Sequence, residues 1–348
     1  MILTFNSTYF YELANDILTT PSPSGFTQLV ISKIEGYVRD LGLQSFRTTK
    51  GNLIVTFNGV NQEKTLGLSA HVDTLGLMVR SINSDGTLNV ASIGGNQPMT
   101  LQGEYCVVHT RNQLTYTGTI LSNAPASHVY EENKTRGQKF EELIIRLDEI
   151  VRCKEDVLNL GIENGDYISI DPKTMITKRG FIKSRHIDDK ISVALILTLF
   201  KSMLESGQKP NYTIQFVVST YEEVGHGAAH LPENLERLIA VDMGCIGKDL
   251  SCTEYDVSIC AKDSSGPYDY EMVSELVALS KKHQLNYAVD IYPYYGSDAS
   301  AALRAGHDVK AALIGPGVHA SHGVERTHYE ACEQTMKLLY AYLTEVTF

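Results

Sequence analysis

Thr65-Leu66-Gly67-Leu68-Ser69-Ala70-His71-Val72-Asp73 decides how this chain folds. A short apolar run ends in a histidine and an acid, and the same grammar recurs along the chain. The run 213–220 leads into Glu222-Glu223-Val224-Gly225, the run 238–241 into Asp242, and the run 309–314 into a loop holding His319 and His322. Runs this short and apolar read as buried strands of an α/β sheet with helices on both faces. In an open sheet of this kind, ligands gather at the carboxyl ends of the strands, so side chains scattered between positions 71 and 322 can converge on one crevice.

Before the first of these strands, Phe10, Leu13, Ala14, Ile17 and Leu18 fall on one face of a helix over 8–18. Pro21-Ser22-Pro23-Ser24-Gly25 ends it, and Val30, Ile34, Val38 and Leu41 mark a second helix. A strand over 53–57 and a turn at Asn58-Gly59 follow. After Gly76 the texture changes to short β-like runs broken by Ser84-Asp85-Gly86 and Gly94-Gly95-Asn96, with one possible helical segment over 143–160. Helix and strand alternate again from Ser192, with Leu195, Leu199, Met203 and Leu204 on a helix and a closing helix over 329–343. The expected organisation is a discontinuous catalytic domain, 1–76 and 180–348, split by an inserted β domain, 77–179.

Composition narrows the function classes. A length of 348 residues favours about two domains, and 43% hydrophobic with 20% charged residues is ordinary for a globular protein. The longest apolar stretch, 191–200, falls well short of the ~20 residues of a membrane span. The start, Met1-Ile2-Leu3-Thr4-Phe5-Asn6, lacks a basic region followed by an apolar one, so a cytoplasmic location is expected. Six cysteines without C-x-x-C spacing read as reduced thiols. A net charge of −11 with no Lys or Arg cluster argues against nucleic acid as a partner.

Each acid has an ordinary reading beside a chemical one. In His71-Val72-Asp73 the acid can bond the second ring nitrogen of the histidine and fix its tautomer, as partners of metal-binding histidines do. Asp188-Asp189 precedes an apolar helix, where free N–H groups favour acids; a carboxylate there could also bridge two cations about 3.5 to 4 Å apart. Glu222-Glu223 is costly near a core unless metal or hydrogen bonds compensate. Adjacent side chains point in different directions, so one can bind metal while the other holds a water molecule as general base. A glycosidase pair would need carboxyls ~5 to 9 Å apart across a sugar cleft. With Asp242 and His322, the set offers one bridging acid plus a histidine and a carboxylate for each of two ions. Nitrogen and oxygen donors without thiolate suit Zn²⁺, and also Co²⁺ or Mn²⁺.

The ordered series His-x-Asp, Asp-Asp, Glu-Glu-Val-Gly, Asp, His, with Pro23-Ser24-Gly25 early and Gly296-Ser297-Asp298-Ala299 late, resembles the tetrahedral (TET) dinuclear metallo-aminopeptidases. That family includes glutamyl and deblocking aminopeptidases, some carrying an older endoglucanase label. The resemblance covers essentially the whole chain. It implies a zinc-exopeptidase-like mixed sheet, a PDZ-like insertion used for dimerisation, and dimers assembling into a hollow dodecamer that acts on peptides. Residue by residue it implies one metal on His71, Asp188 and Asp242, a second on Asp188, Glu223 and His322, Glu222 as general base and Asp73 as the group orienting His71.

Departures fall around the ligands. Thr74 stands where an acid often follows, Lys190 and Ser192 replace a usual Arg and Gly, and Tyr221 replaces a frequent Gln. The segment Gly317-Val318-His319-Ala320-Ser321-His322-Gly323 offers two histidines. His322 is chosen because it directly precedes the Gly-Val-Glu segment that is similar to the family's. His186, His226 and His230 read as surface or supporting residues, and Tyr292 to Tyr295 as either a pocket wall or packing. The same ligand set would also serve a metallo-carboxypeptidase or an N-acyl amino acid amidohydrolase. A non-catalytic metal-binding assembly subunit would have no use for an uncoordinated Glu222.

Overall fold

The structure, a computed structural model, describes residues 3–348. Strand Asn61–His71 lies inside a ten-stranded mixed sheet. It pairs in parallel with Tyr212–Ser219, His71 opposite Ser219, and on its other side with Leu235–Val241. Leu235–Val241 pairs in parallel with Lys310–Val318. All four therefore end at one edge, from which Glu222, Asp242 and the His322 loop emerge beside His71. Antiparallel strands Leu53–Phe57 and Val257–Asp263 flank this parallel centre. The turn at Asn58-Gly59 joins strands that are not neighbours, because Tyr212–Ser219 lies between them. Gly59 is required there, since a Cβ would strike the Tyr212 backbone.

Strand alternation divides these runs between two cores. Ile239 and Val241 join the larger core built with helices Ser7–Thr19, Gln28–Asp40, Ile187–Glu205, Tyr270–Lys282 and Tyr329–Glu345. Leu238 and Ala240 join a smaller one with Tyr292 and helix Asp298–Arg304. Burial on both faces is why the strands read as unbroken apolar runs. Helix Ile187–Glu205 is buried almost all round, although Leu204 turns outward at 38% exposure. At about 1.5 to 3 kcal/mol per buried Leu or Ile, that packing holds Asp188 and Asp189, at its start, against the sheet.

Between Gly76–Ile82 and Tyr167–Ile170 the chain forms a closed antiparallel barrel of six strands. Leu77, Val79, Val90, Val108, Ile120 and Ile145 fill a core of its own. The helical expectation over 143–160 gives way to strand Leu143–Leu147 and a short helix, Lys154–Asn159. The barrel buries Leu143, Ile145 and Leu147, so period two prevails. Met175–Ile176 and Phe181–Ser184 leave the barrel and form a small sheet with Glu325–His328.

Candidate active site

The acids of 188–189 do not cap their helix. Asp188 (φ −68, ψ 106) and Asp189 (φ −120, ψ 19) precede regular helical geometry. Asp188 turns Oδ1 to His71 Nε2 at 3.1 Å and Oδ2 to His322 Nε2 at 3.6 Å. Asp189 accepts the His71 backbone N–H at 3.2 Å and leaves its other, buried oxygen without a partner.

Glu222 and Glu223 follow Tyr212–Ser219 on a single 3₁₀ turn, Glu222–Val224. Their backbone N–H groups donate to the two oxygens of Asp73 at 3.1 and 3.3 Å, and Ser24 Oγ donates to the same carboxylate. Asp73 therefore orients His71 differently from the sequence expectation: Nδ1 lies 2.9 Å from its backbone carbonyl and 3.7 Å from its carboxylate, which fixes the Glu222 turn. The two glutamates diverge, Glu222 Oε2 lying 3.7 Å from His71 Nε2 and Glu223 Oε2 3.5 Å from His322 Nε2. Asp242 leaves the neighbouring strand and accepts the Met243 N–H at 2.6 Å.

Ligand atoms of His71, Asp188 and Glu223 lie within 4.8 Å of one another, as do those of His71, Asp189 and Asp242. These groups share His71 and bring in Asp189, where the resemblance shares Asp188. Over the acids lies a cavity of about 370 Å³, lined also by Gln97, Met243, Cys245, Tyr295, Arg304 and Ser321. A larger cavity of about 710 Å³, between segment 18–22 and the barrel, contains none of these acids.

His319 is exposed, its backbone paired with Arg326, and it does not line the cavity. His226 stacks on Tyr221, and His230 is exposed. His186 is buried, and burial followed by the charges of Lys190 and Arg185 holds it down to about 3. Tyr292 is packing and Tyr295 is wall, its hydroxyl donating to the Met243 carbonyl at 3.1 Å. Sequence reading passed over Glu325, which accepts the N–H of Asp188 at 3.0 Å and of His322 at 3.1 Å, pinning both. Its signal was the Gly-Val-Glu segment itself. Asp298, bonded to Ser219 and the Ala228 N–H, was likewise visible only as part of a motif.

Electrostatically the crevice is short of positive charge. Asp73, Asp188, Asp189, Glu222, Glu223, Asp242 and Glu325 crowd around two imidazoles, while Lys190 sends its Nζ to the Thr20 carbonyl at 2.6 Å. Burial, then the charge of Asp188, pushes Glu223 up to about 8 and Asp242 up to about 7. Burial raises Glu222 well above the carboxylate range. Burial would raise Asp188 too, but hydrogen bonds to His322 and His71 outweigh it and hold Asp188 far below. The thiol of Cys245, pushed by burial up to about 12, stays protonated. Unpartnered buried carboxylate oxygen, oriented imidazole nitrogen and no thiolate fit divalent cations of the zinc type.

Comparison with known proteins agrees. The model of the M42 glutamyl aminopeptidase family matches residues 51–338. A Bacillus subtilis protein named as an aminopeptidase, YhfE, is 46% identical over 95% of this chain and 96% of its own length. The lysyl aminopeptidase of Pyrococcus furiosus is 28% identical over 62% of this chain and 60% of its own. Among solved structures, the TET1 peptidase of Pyrococcus horikoshii, which assembles into a tetrahedron or a large octahedral shell, is similar in fold with a TM-score of 0.85 at 21% identity, over 97% of this chain and 100% of that one. Family match and full-length relative agree, and the chain belongs to the M42 glutamyl aminopeptidase family, metallopeptidases that use divalent ions.

Proposed function

We propose that the crevice is a co-catalytic dinuclear centre that removes N-terminal residues from peptides. One ion would be held by His71, Asp188 and Asp242, the other by Asp188, Glu223 and His322, with Zn²⁺ favoured and Co²⁺ or Mn²⁺ compatible. The observation that carries this reading is Asp188, whose two oxygens address two different imidazoles. Ions bound there supply Lewis acidity toward a peptide carbonyl and toward water.

Glu222 takes the proton of the attacking water and delivers it to the departing amine nitrogen, so one residue serves as base and then acid. Its desolvated setting and its N–H bond to Asp73 suit that role, because the carboxyl is held in place and its basicity is raised. Asp73 acts on both halves of the site, through its carbonyl on His71 and through its carboxylate on the glutamate turn. The barrel, PDZ-like by resemblance and spanning the insertion 77–179, would pair two chains. A dimer on each edge of a tetrahedron makes a dodecamer, an assembly that the shell of the P. horikoshii relative supports. Six unpaired cysteines fit a reducing cytoplasm.

Metal-reconstituted protein assayed on aminoacyl amides with free amines and on N-acylated amino acids tests the reading. Hydrolysis confined to the free amines, lost on chelation and restored by Zn²⁺ or Co²⁺, is expected. Preference for the acylated compounds would replace it with an amidohydrolase.

A further inference from the structure

The loop Gly94-Gly95-Asn96-Gln97 leaves barrel strand Leu88–Ile93 and enters the catalytic crevice, where Gln97 lines the cavity. We infer that this loop is part of the catalytic centre, the Gly95 carbonyl being the positioning group for His322. The inference rests on the reading that His322 holds an ion.

His322 Nδ1 lies 3.1 Å from the Gly95 carbonyl, while Nε2 faces Glu223 and Asp188 at 3.5 and 3.6 Å. A neutral imidazole carries one N–H. If Nδ1 spends it on the carbonyl, Nε2 presents its lone pair to the crevice, the tautomer an ion requires. His71 gains the same orientation from the Asp73 carbonyl, in a site where it is 1% exposed. His322 sits on a loop at φ +62 with its side chain 32% exposed, so fewer neighbours hold the ring and the carbonyl matters more.

The loop is built for this approach. A Cβ on Gly95 would lie 2.9 Å from His322 Nδ1 and 3.1 Å from its Cε1. Gly94, at φ +72, has its Cβ position 2.6 Å from Leu75 Cδ2 and 3.4 Å from the Glu223 carbonyl. Asn96 locks the turn, its side-chain amide donating to the carbonyls of Gly76 and Ile93 at 2.8 and 2.9 Å and to Ser92 Oγ at 3.1 Å. Ser92 Oγ in turn donates to the Gly94 carbonyl at 2.9 Å. A second tie joins the barrel to the other arm of the site: buried Arg185, just before Asp188, pairs with Glu104 at 3.2 Å and donates to the Thr100 carbonyl.

The test uses the full chain, stripped of metal and titrated with Zn²⁺ against a chromophoric chelator. The variants are Gly95→Ala, whose methyl would displace the His322 ring, and Asn96→Ala, which frees the loop without altering a group that touches His322. Gly36→Ala, with its nearest atom 3.8 Å away, is the control. We expect the wild type and the control to bind two ions. Gly95→Ala should keep one ion at wild-type affinity and lose about 10- to 100-fold for the other, the usual cost of removing an orienting partner. Asn96→Ala should shift the same ion by less, and it decides the matter if Gly95→Ala does not fold. Variants that bind both ions with unchanged affinity overturn this inference alone. A wild type that binds a single ion overturns it together with the dinuclear reading.

Discussion

Buried acids in the barrel and buried acids at the sheet edge are treated in opposite ways. Glu104, 7% exposed, is met by Lys173 at 2.7 Å and Arg185 at 3.2 Å, and Asp166 has Arg111 at 3.6 Å. At the sheet edge, Asp188, Glu222 and Glu223 have His71 or His322 within ion-pair distance, and among the described residues no lysine or arginine pairs with these three or with Asp189 and Asp242. A buried charge without a partner costs several kcal/mol. The barrel acids meet cations from the insertion and from Arg185 beside the crevice, whereas the crevice acids leave that cost to be offset from outside the chain. Acids paired with cations hold a fold together; these, without lysine or arginine, lie where the proposed reaction would take place.

The contrast predicts most at Glu222, an acid that should serve the reaction without serving the ions. Glu222→Gln should lose roughly 10² to 10⁴-fold in turnover, the share of a positioned general base, while metal analysis finds both ions retained. Loss of an ion in that variant would mean that Glu222 and Glu223 have exchanged roles.

The two histidines of one loop should differ next. His322→Ala should release one ion and remove most turnover, since its Nε2 faces Glu223 and Asp188. His319→Ala should keep two ions and change mainly substrate affinity, being exposed and outside the cavity. Metal loss in His319→Ala with retention in His322→Ala would reverse the assignment.

A smaller effect is the stability of metal-free protein against pH. Glu223 and Asp242 are raised to about 8 and about 7, so between the ordinary carboxylate range and those values the folded chain holds protons that the unfolded chain has released. Stability therefore falls as pH rises through this window. His322, raised to about 10, pulls in the same direction above its ordinary value; His186, held down to about 3, and Lys190, held down to about 7, pull the other way below their ordinary values but are outnumbered by the raised acids, and depressed Asp188 acts only at lower pH. Thermal scans of chelated protein should show a melting temperature that declines from pH 5 to pH 8, with Zn²⁺ flattening the decline. A flat profile without metal would contradict the charge deficit.

Much of this was legible in the chain because the signal is local: an apolar run followed at once by an acid places that acid at a strand end. His71, Glu222, Glu223 and Asp242 were found this way. What escaped depends on distance or on the backbone. Closure of the barrel joins Gly76–Ile82 to Tyr167–Ile170, and nothing in either stretch names the other. Leu143, Ile145 and Leu147 fit a strand, but so short a run also allows a helix. Asp73 was read as a carboxylate partner of His71, but its carbonyl makes that contact, a choice no side-chain pattern encodes. Gly94-Gly95 read as a turn, and its approach to His322 spans 227 positions.

Whether Asp188 joins two ions, as proposed, is decided by the metal content of the wild type and Asp188→Ala, measured side by side after equilibration with Zn²⁺ and removal of free metal. Two ions per chain are expected in the wild type and none in the variant, with hydrolysis lost in step. One ion kept by Asp188→Ala at wild-type affinity, or turnover surviving in it, would contradict the bridge.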